Sequence, residues 1–348
     1  MRFHLDDQGV MHADVEIGTS LTVRNSLAET PLLALLTDLR SRQLVRHCGL
    51  ECPLRDERGL TLTVAYRYLD VVFPETRPVA SFRENDRITV VGRLQRDPRG
   101  GTLTSHQFIY AQPWTAGPTD WLADGATAVK LGVPFVRITS GFAQSDRDRA
   151  SFAVAEPARR AVLRLPLASE LIAAKGPMAR AGEMGRFRIA PKTFSPLQLE
   201  PARFRYQPLV DRDVSSRARV DATRYPSIFD SLERELLGPR ALVPLGRPLL
   251  DRRTVVRRQS AHFRDVMAGD ELEIAADASI ENPWLKDHHL AVNPIRLLLN
   301  FEVTRRADRK RVAVSTVEKL VLGASLESAG LLGALAELGR AHLQRSRA

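Results

Sequence analysis

Cysteine is nearly absent. The chain has two in 348 residues, Cys48 and Cys52, both in "CGLEC". A structural zinc site takes four soft or imidazole ligands at matching spacing. His47 is adjacent, but no second cluster follows, so the pair reads as reduced structural thiols and no metal is expected. Aromatic residues make up only 6% of the chain, and six of its 51 basic residues are lysine, the rest being arginine. These arginines run through the whole chain instead of gathering on one stretch with interleaved aromatics, which argues against a nucleic-acid reader. No run approaches the ~18 uninterrupted apolar residues of a membrane span. The start, "MRFHLDDQGV", has acids where a signal peptide has a basic region and an apolar core. A cytoplasmic protein without a membrane partner is expected. Also missing are a G-x-S-x-G elbow, a P-loop, a G-x-G-x-x-G after a strand and an H-E-x-x-H pair, which argues against serine hydrolases, kinases, Rossmann enzymes and zinc proteases.

What is present is an ordinary globular balance, 44% hydrophobic and 26% charged, with a net charge of +10. The length fits two domains or one internally repeated double domain. The positive charge suits an acidic partner, either the phosphates of CoA or the surface of an acyl carrier protein.

Hydrophobic periodicity divides the chain into two similar halves. In "NSLAETPLLALLTDLRSRQLV", Ser26 and Glu29 fit a capping box and Pro31 suits a first helical turn. Leu32, Leu35, Leu36 and Leu39 share one helical face. Strand-like runs follow: "LTLTVAYRYLDVVF", then "DRITVVGRLQRD" and "TLTSHQFIYA" around the turn signal "PRGG". The second half repeats the order. "DATRYPSIFDSLERELLG" reads as a helix with Tyr225, Ile228, Phe229, Leu232 and Leu236 on one face and Gly238 as its stop. Four strand-like runs follow, the last two joined at "ADRK". "FRENDRITVVGRL" and "VMAGDELEIAADA" form a weak internal repeat in which Asp86 and Asp270 each precede an alternating run. A helix followed by about four antiparallel strands is the pattern of the hot-dog fold, an α+β architecture. One such unit leaves an edge and a face open, so two in one chain are expected to pair as a double hot-dog. The expected organisation is a first unit over 1–115, a connecting segment over 116–200 and a second unit over 201–348, with Trp114, Trp121 and a helix in "LASELIAAKGPMARAGEMG" in the less regular middle from about 112 to 200. A further pairing as a homodimer is compatible with this plan.

The richest stretch for chemistry is "FRYQPLVDRDVSSRARVDATRYPSIFDSLERELLG", with acids, small residues and a tyrosine just before a helix. Helix N-termini present unpaired N–H groups and partial positive charge, which stabilise a developing oxyanion. A nearby carboxylate can serve as a general base. The alternative is that Asp211, Asp213 and Asp221 only cap the helix and shape a turn. His288 and His289 could supply a base or ligand, or lie in a polar loop entering a strand.

The same stretch resembles the "D-x-D-x-N-G…Y-P" segment of the double hot-dog family of the leinamycin-type acyltransferase/decarboxylase of polyketide biosynthesis, through Asp211, Asp213, Tyr225 and Pro226. "LAETPLLALLTD" resembles that family's first helix through Leu27, Glu29, Leu32, Leu33, Leu36 and Asp38. A weaker resemblance runs to hot-dog acyl-CoA thioesterases with "D-x-D-x-x-G-H". The resemblance implies acyl transfer to a carrier protein, with decarboxylation. The substrate would be a thioester of CoA or of a carrier protein's phosphopantetheine, with no bound cofactor. It assigns catalysis to Asp213, Tyr66 and Tyr225, with backbone amides near Thr223 holding the thioester oxygen. Substrate contacts would come from Ser215, Ser216, Arg217, Thr223, Tyr68 and His288, and carrier or phosphate contacts from Arg305 and Arg306. Tyr66 and Tyr68, two apart in a strand, are expected on one face. This chain has Ser215 and Ser216 at the family's Asn-Gly, Ser216 and Arg217 at the thioesterase Gly-His, Arg40 and Ser41 where relatives carry His-Trp, and Thr63 or Val64 at the family tyrosine. Two further expectations stand beside this one. In the first, the reaction is thioester hydrolysis or dehydration, and a dehydratase would work with His262 or His288. In the second, a non-catalytic hot dog binds an acyl chain or serves as a scaffold.

Overall fold

Strict alternation in "LEIAADASI" and continuous burial in "ITVVGRL" both demand a sheet with one face packed on helices. The computed structural model supplies it. It describes residues 2–7, 9–23, 26–49, 62–75, 77–96, 102–111, 132–144, 160, 162–167, 180–187, 194–197, 201–209, 213, 220, 222–237, 253–281 and 295–321. The first half contains β1 (Arg2–Leu5), β2 (Met11–Glu16), the two-residue strands β3 (Thr22–Val23) and β4 (Ser26–Leu27), α1 (Glu29–Cys48), β5 (Leu62–Val72), β6 (Arg87–Arg96), β7 (Thr102–Ala111) and β8 (Phe135–Gln144). The second half contains β9 (Phe194–Pro196), β10 (Ala202–Tyr206), α2 (Tyr225–Leu237), β11 (Arg253–His262), β12 (Leu272–Glu281), β13 (Ile295–Arg305) and β14 (Lys310–Val321).

All strands but β3 and β4 join one 12-stranded antiparallel sheet in the order β1-β2-β6-β7-β8-β5-β11-β14-β13-β12-β10, with β9 also on β12. The order reads the same outward from the centre, where β5 pairs with β11. Thus β2, β6, β7 and β8 correspond to β10, β12, β13 and β14. The pairing of β5 with β11 leaves no open edge between the halves, as the repeat led us to expect. The turn into β6 and the turn into β12 are built alike. Asp86 Oδ2 accepts from the Arg83 N–H at 2.7 Å, and Asp270 Oδ2 from the Met267 N–H at 2.9 Å. Asn85 and Gly269, at the same position of each turn, have φ of 70° and 91°.

Both helices lie on the same face of the sheet. Leu32, Leu36 and Leu39 of α1 and Tyr225, Ile228, Phe229, Leu232 and Leu236 of α2 join one core with Ile88, Val90, Ile109, Val136 and Ile138 of the first half and Ile274, Leu299, Phe301 and Val317 of the second. Phe229 stacks on Phe301 with ring centroids 4.6 Å apart. Leu35, counted on the apolar face, is only half-buried. On the opposite face Tyr68, Ala181, Phe187, Ala261 and Val314 form a second cluster.

Three expectations need correction. The capping box does not form: α1 starts at Glu29, its N-cap Ala28 offers no side-chain bond, and Ser26 lies in β4. The segment 116–200 is more than a connection, because β8 lies within it and pairs with both β5 and β7. The expected helix there is described only at 180–184, on the outer face of the sheet. Finally, Tyr66 and Tyr68 do not share a face. A β-bulge at Arg67 interrupts the alternation, so Tyr66 packs against the main core and Tyr68 joins the outer cluster. Cys52, Trp114, Trp121, Gly238 and His289 lie outside the described residues. Cys48 is buried, and burial pushes its thiol up to about 11. Among the described residues no cluster suited to a metal occurs, and no helix is long and apolar enough to cross a membrane.

Candidate functional site

The bulge in β5 has a twin in β11. The pairing of β5 with β8 shifts between Tyr66, opposite Ser140, and Tyr68. The pairing of β11 with β14 shifts between Val255, opposite Lys319, and Arg257. Ser140 and Lys319 therefore hold the same place in the two halves. The helices align just as closely. The Leu27 N–H donates to Phe82 O, and the Val220 N–H donates to Val266 O, at 2.8 Å each. Counting from these anchors, Thr37 corresponds to Asp230 and Arg40 to Glu233. The structure thus presents two equivalent seams where a helix crosses the bulge, and they carry different chemistry.

The seam of the second half is ionic. Lys319 Nζ donates to Glu233 and, at 3.2 Å, to Asp230. Arg258, fully buried, meets Glu29 of α1 through two bonds of 2.6 and 2.8 Å, and its Nη2 lies 3.9 Å from Asp230. Burial works against the charge on Arg258, but Glu29 and then Asp230 and Glu233 outweigh it and hold the guanidinium proton more firmly than usual. Glu29 thus serves as the partner of a cation from the other half of the sheet.

The seam of the first half is hydroxyl-rich. The Tyr66 phenol is hydrogen-bonded to Thr37 Oγ1, which also donates to Leu33 O at 2.7 Å. Arg40 is 5% exposed, lies 4.9 Å from the centre of the Tyr66 ring and donates through Nη1 to Ser140 Oγ. No carboxylate pairs with Arg40 among the described residues. The 3-10 turn Ala222–Arg224, which leads into α2, packs on α1. The amides at the start of α2, with buried Thr223, are therefore brought next to the helix that carries Thr37 and Arg40.

Other residues singled out from sequence have different surroundings. Asp213 is buried, and its Oδ2 accepts from the Tyr206 phenol and, at 2.9 Å, from the Leu209 N–H. Tyr225 sits in the core between Phe229 and His262, at 5.7 and 4.8 Å between ring centres. Burial, with Asp265 and Asp270 adding to it, raises the Tyr225 phenol well above its ordinary value. His262 is buried in turn, and burial, with the charge of Arg67, lowers it to about 4, so it is neutral at pH 7. Tyr68 accepts from Gln259 Nε2 at 2.9 Å, and burial, with the Asp70 charge, pushes it up to about 12. Arg305 and Arg306 do not stand free for phosphate. Arg305 pairs with Asp270 and Asp308, and Arg306 donates to Glu271 at 2.6 Å. Ser215, Ser216, Arg217, His288, Asp211 and Asp221 lie outside the described residues. In the sequence Arg40 stands out only as a departure from the family pattern, and Thr37 and Ser140 do not stand out at all. An arginine on the apolar face of α1, one residue after Leu39, was the available signal.

No protein-family model matches the chain, and no curated protein sequence matches it. Among solved structures it is similar to an acyl-ACP thioesterase from Bacteroides thetaiotaomicron VPI-5482, at a TM-score of 0.50 and 11% identity over 90% of this chain and 98% of that one. It is also similar to a protein described as an oleoyl thioesterase from Lactobacillus plantarum, at a TM-score of 0.51 and 12% identity over 90% of this chain and 95% of that one. At such identities the likeness is one of architecture: this chain has the hot-dog fold, with a large antiparallel sheet over its helices.

Proposed function

We propose that this protein is a cytoplasmic double hot-dog enzyme that cleaves an acyl thioester of CoA or of a carrier protein's phosphopantetheine at the Tyr66–Arg40 seam. The observation that carries this reading is the convergence of Tyr66, Thr37, Arg40 and Ser140 where α1 crosses β5 and β8, with the turn into α2 packed on the same helix. A thioester carbonyl gains negative charge on its oxygen as it is attacked, and fixed N–H and O–H donors in a dry site stabilise that charge. The amides near Thr223 are the donors, joined by the Tyr66 hydroxyl when its proton turns from Thr37 Oγ1 to the substrate. Asp213 is the carboxylate that orients or accepts the proton, steadied through its other contacts to Tyr206 and Leu209. The acyl carbon–sulfur bond breaks, the acyl carbon bonds to the acceptor, and the leaving thiolate takes up a proton.

The acceptor distinguishes two readings. The sequence resemblance supports transfer to a carrier protein, with decarboxylation as an accompanying step. The likeness of fold to two proteins described as thioesterases supports hydrolysis by water. The test is intact-protein mass spectrometry of a carrier protein incubated with this protein and a panel of acyl-CoA thioesters, with CoA release followed in parallel. A gain in carrier mass establishes transfer, and the size of the gain shows whether CO2 was lost. Free CoA with an unmodified carrier establishes hydrolysis. Folded protein that changes neither overturns the proposal.

A further inference from the structure

Beneath the C-terminal half of α1, the first half of the sheet carries a polar patch where the second half is apolar. Gln43 of α1 donates through Nε2 to Gly9 O at 2.9 Å and to Gly92 O at 2.8 Å. Gln107 of β7 stands opposite Gly92 in the sheet and donates through Nε2 to Leu36 O at 2.8 Å. Ser105, two residues before Gln107, lies on the same face. All three side chains are fully buried. Each keeps one atom without a hydrogen-bond partner among the described residues: Gln43 Oε1, Gln107 Oε1 and Ser105 Oγ. A buried polar group left unsatisfied costs about 1–3 kcal/mol. The internal repeat supplies a control. Gln43 follows Arg40 as Leu236 follows Glu233, so the two correspond. Gly92 follows Asp86 as Ala276 follows Asp270. On β7, Gly92 and Leu94 face Gln107 and Ser105; on β13, Ala276 and Ala278 face Phe301 and Leu299. Leu236, Phe301 and Leu299 belong to the apolar core. The same frame thus packs with apolar side chains alone, and packing does not account for the two glutamines and the serine.

We infer that this patch binds a hydroxyl group on the acyl chain, so the enzyme selects hydroxylated acyl thioesters. The inference rests on the Tyr66–Arg40 seam being the acyl-thioester site. Strand register connects the two places. Leu103 faces Ser140, and Ser105 lies two residues further along β7, about 8 Å from Ser140 by strand spacing. Gln107 lies two residues beyond that, about 7 Å more. An acyl chain whose thioester sits at the seam runs along this line beneath α1. The open atoms also specify the group they meet. An amide oxygen only accepts, so the two glutamines require a donor and repel a carboxylate. A cationic donor would add a second charge to a dry interior that already holds Arg40. A hydroxyl is neutral, donates to a glutamine oxygen and accepts from Ser105 Oγ. Gly92 lets Gln43 lie against the strand. A Cβ there would stand 3.3 Å from Gln43 Oε1 and 2.6 Å from Met11 Cε.

The experiment compares octanoyl-CoA with the same thioester carrying a hydroxyl on its penultimate carbon, placed to reach Ser105 from the seam. Binding is measured by calorimetry and turnover by CoA release. The proteins are the full chain, Ser105→Ala, and Gln43→Leu combined with Gln107→Leu. The double variant makes the patch apolar, as in the second half. Ser105→Ala removes a single hydroxyl and keeps the test open should the double variant fail to fold. The expected result is that the wild-type chain binds the hydroxylated thioester roughly 10-fold more tightly than octanoyl-CoA. Ser105→Ala should keep part of that preference and the double variant none. Octanoyl-CoA itself should bind the double variant as well as the wild type or better, which a merely structural role for the glutamines would not produce. Three results overturn the inference: equal or weaker binding of the hydroxylated thioester by the wild type, a preference that Ser105→Ala leaves whole, or one that survives in the double variant. Failure to bind either thioester overturns both the inference and the reading of the seam. A binding preference without turnover overturns the proposed enzyme activity alone.

Discussion

The two halves of the sheet share one frame and differ in where their charges end. At the same crossing of helix and bulge, the first half places Arg40 against Ser140 and the second places Glu233 against Lys319. The second seam pairs its charges, with Glu29, Asp230 and Glu233 answering Arg258 and Lys319, while Arg258 Nη1 makes no hydrogen bond. Such a network adds little net stability over apolar packing, yet losing one member leaves a bare buried charge. The first seam has a cation and hydroxyls with no acid among the described residues. The comparison teaches that a duplicated fold can close one seam with ion pairs and line the other with hydroxyls on the same strand frame.

Breaking the ionic seam should have the largest effect. Glu29→Gln removes the bidentate partner of Arg258 and should cost about 3–5 kcal/mol of stability in urea unfolding, far more than Arg40→Leu in the other seam. Asp213→Asn sharpens the contrast between structure and chemistry. Weakening the bonds from Tyr206 and Leu209 should cost about 1–3 kcal/mol. If Asp213 also handles the proton, kcat should fall roughly 10²–10⁴-fold in the folded variant; an unchanged kcat would leave it only the structural part.

The third comparison concerns acid. At matching distances from the two bulges, the first half has Phe73 and the second has His262. His262 titrates near 6.5 when unfolded and at about 4 when folded, so the unfolded chain takes up its proton first and stability declines as pH falls from about 6.5 towards 4. His106, lowered to about 3 by burial and by Arg137 and Arg93, adds to the same decline. His262→Phe, which copies the first half, should flatten part of that slope in unfolding experiments between pH 7 and 4. The smallest effect belongs to the twin turns. A Cβ on Gly269 meets nothing within 4 Å, so Gly269→Ala should cost only about 1 kcal/mol for its positive φ. Asn85→Gly at the matching position should be nearly neutral in Tm.

Much of this frame was legible in the sequence. The leucine spacing of α1, the face of α2 from Tyr225 to Leu236, the hairpin of β6 and β7 and the repeat around Asp86 and Asp270 are local patterns, and local patterns survive folding when burial agrees with them. The site was less legible. The sequence puts Tyr66 on the face of Tyr68, because a bulge has no signature in a strand as regular as "TVAYRYLDVV". Glu29 looked like a capping residue because its partner, Arg258, is more than two hundred residues away. Arg305 and Arg306 looked free because Asp270 and Glu271 come from the turn that leads into β12, more than thirty residues away in the chain.

By itself the sequence determined two helix-and-strand repeats, their order and their apolar faces, since these depend on periodicity and propensity within short windows. Tertiary structure decided which charges neutralise each other, which tyrosine faces the helices and which arginine is left with hydroxyls. Those outcomes depend on register across strands and on contacts between distant segments, where a shift of one residue moves a side chain from one face of the sheet to the other.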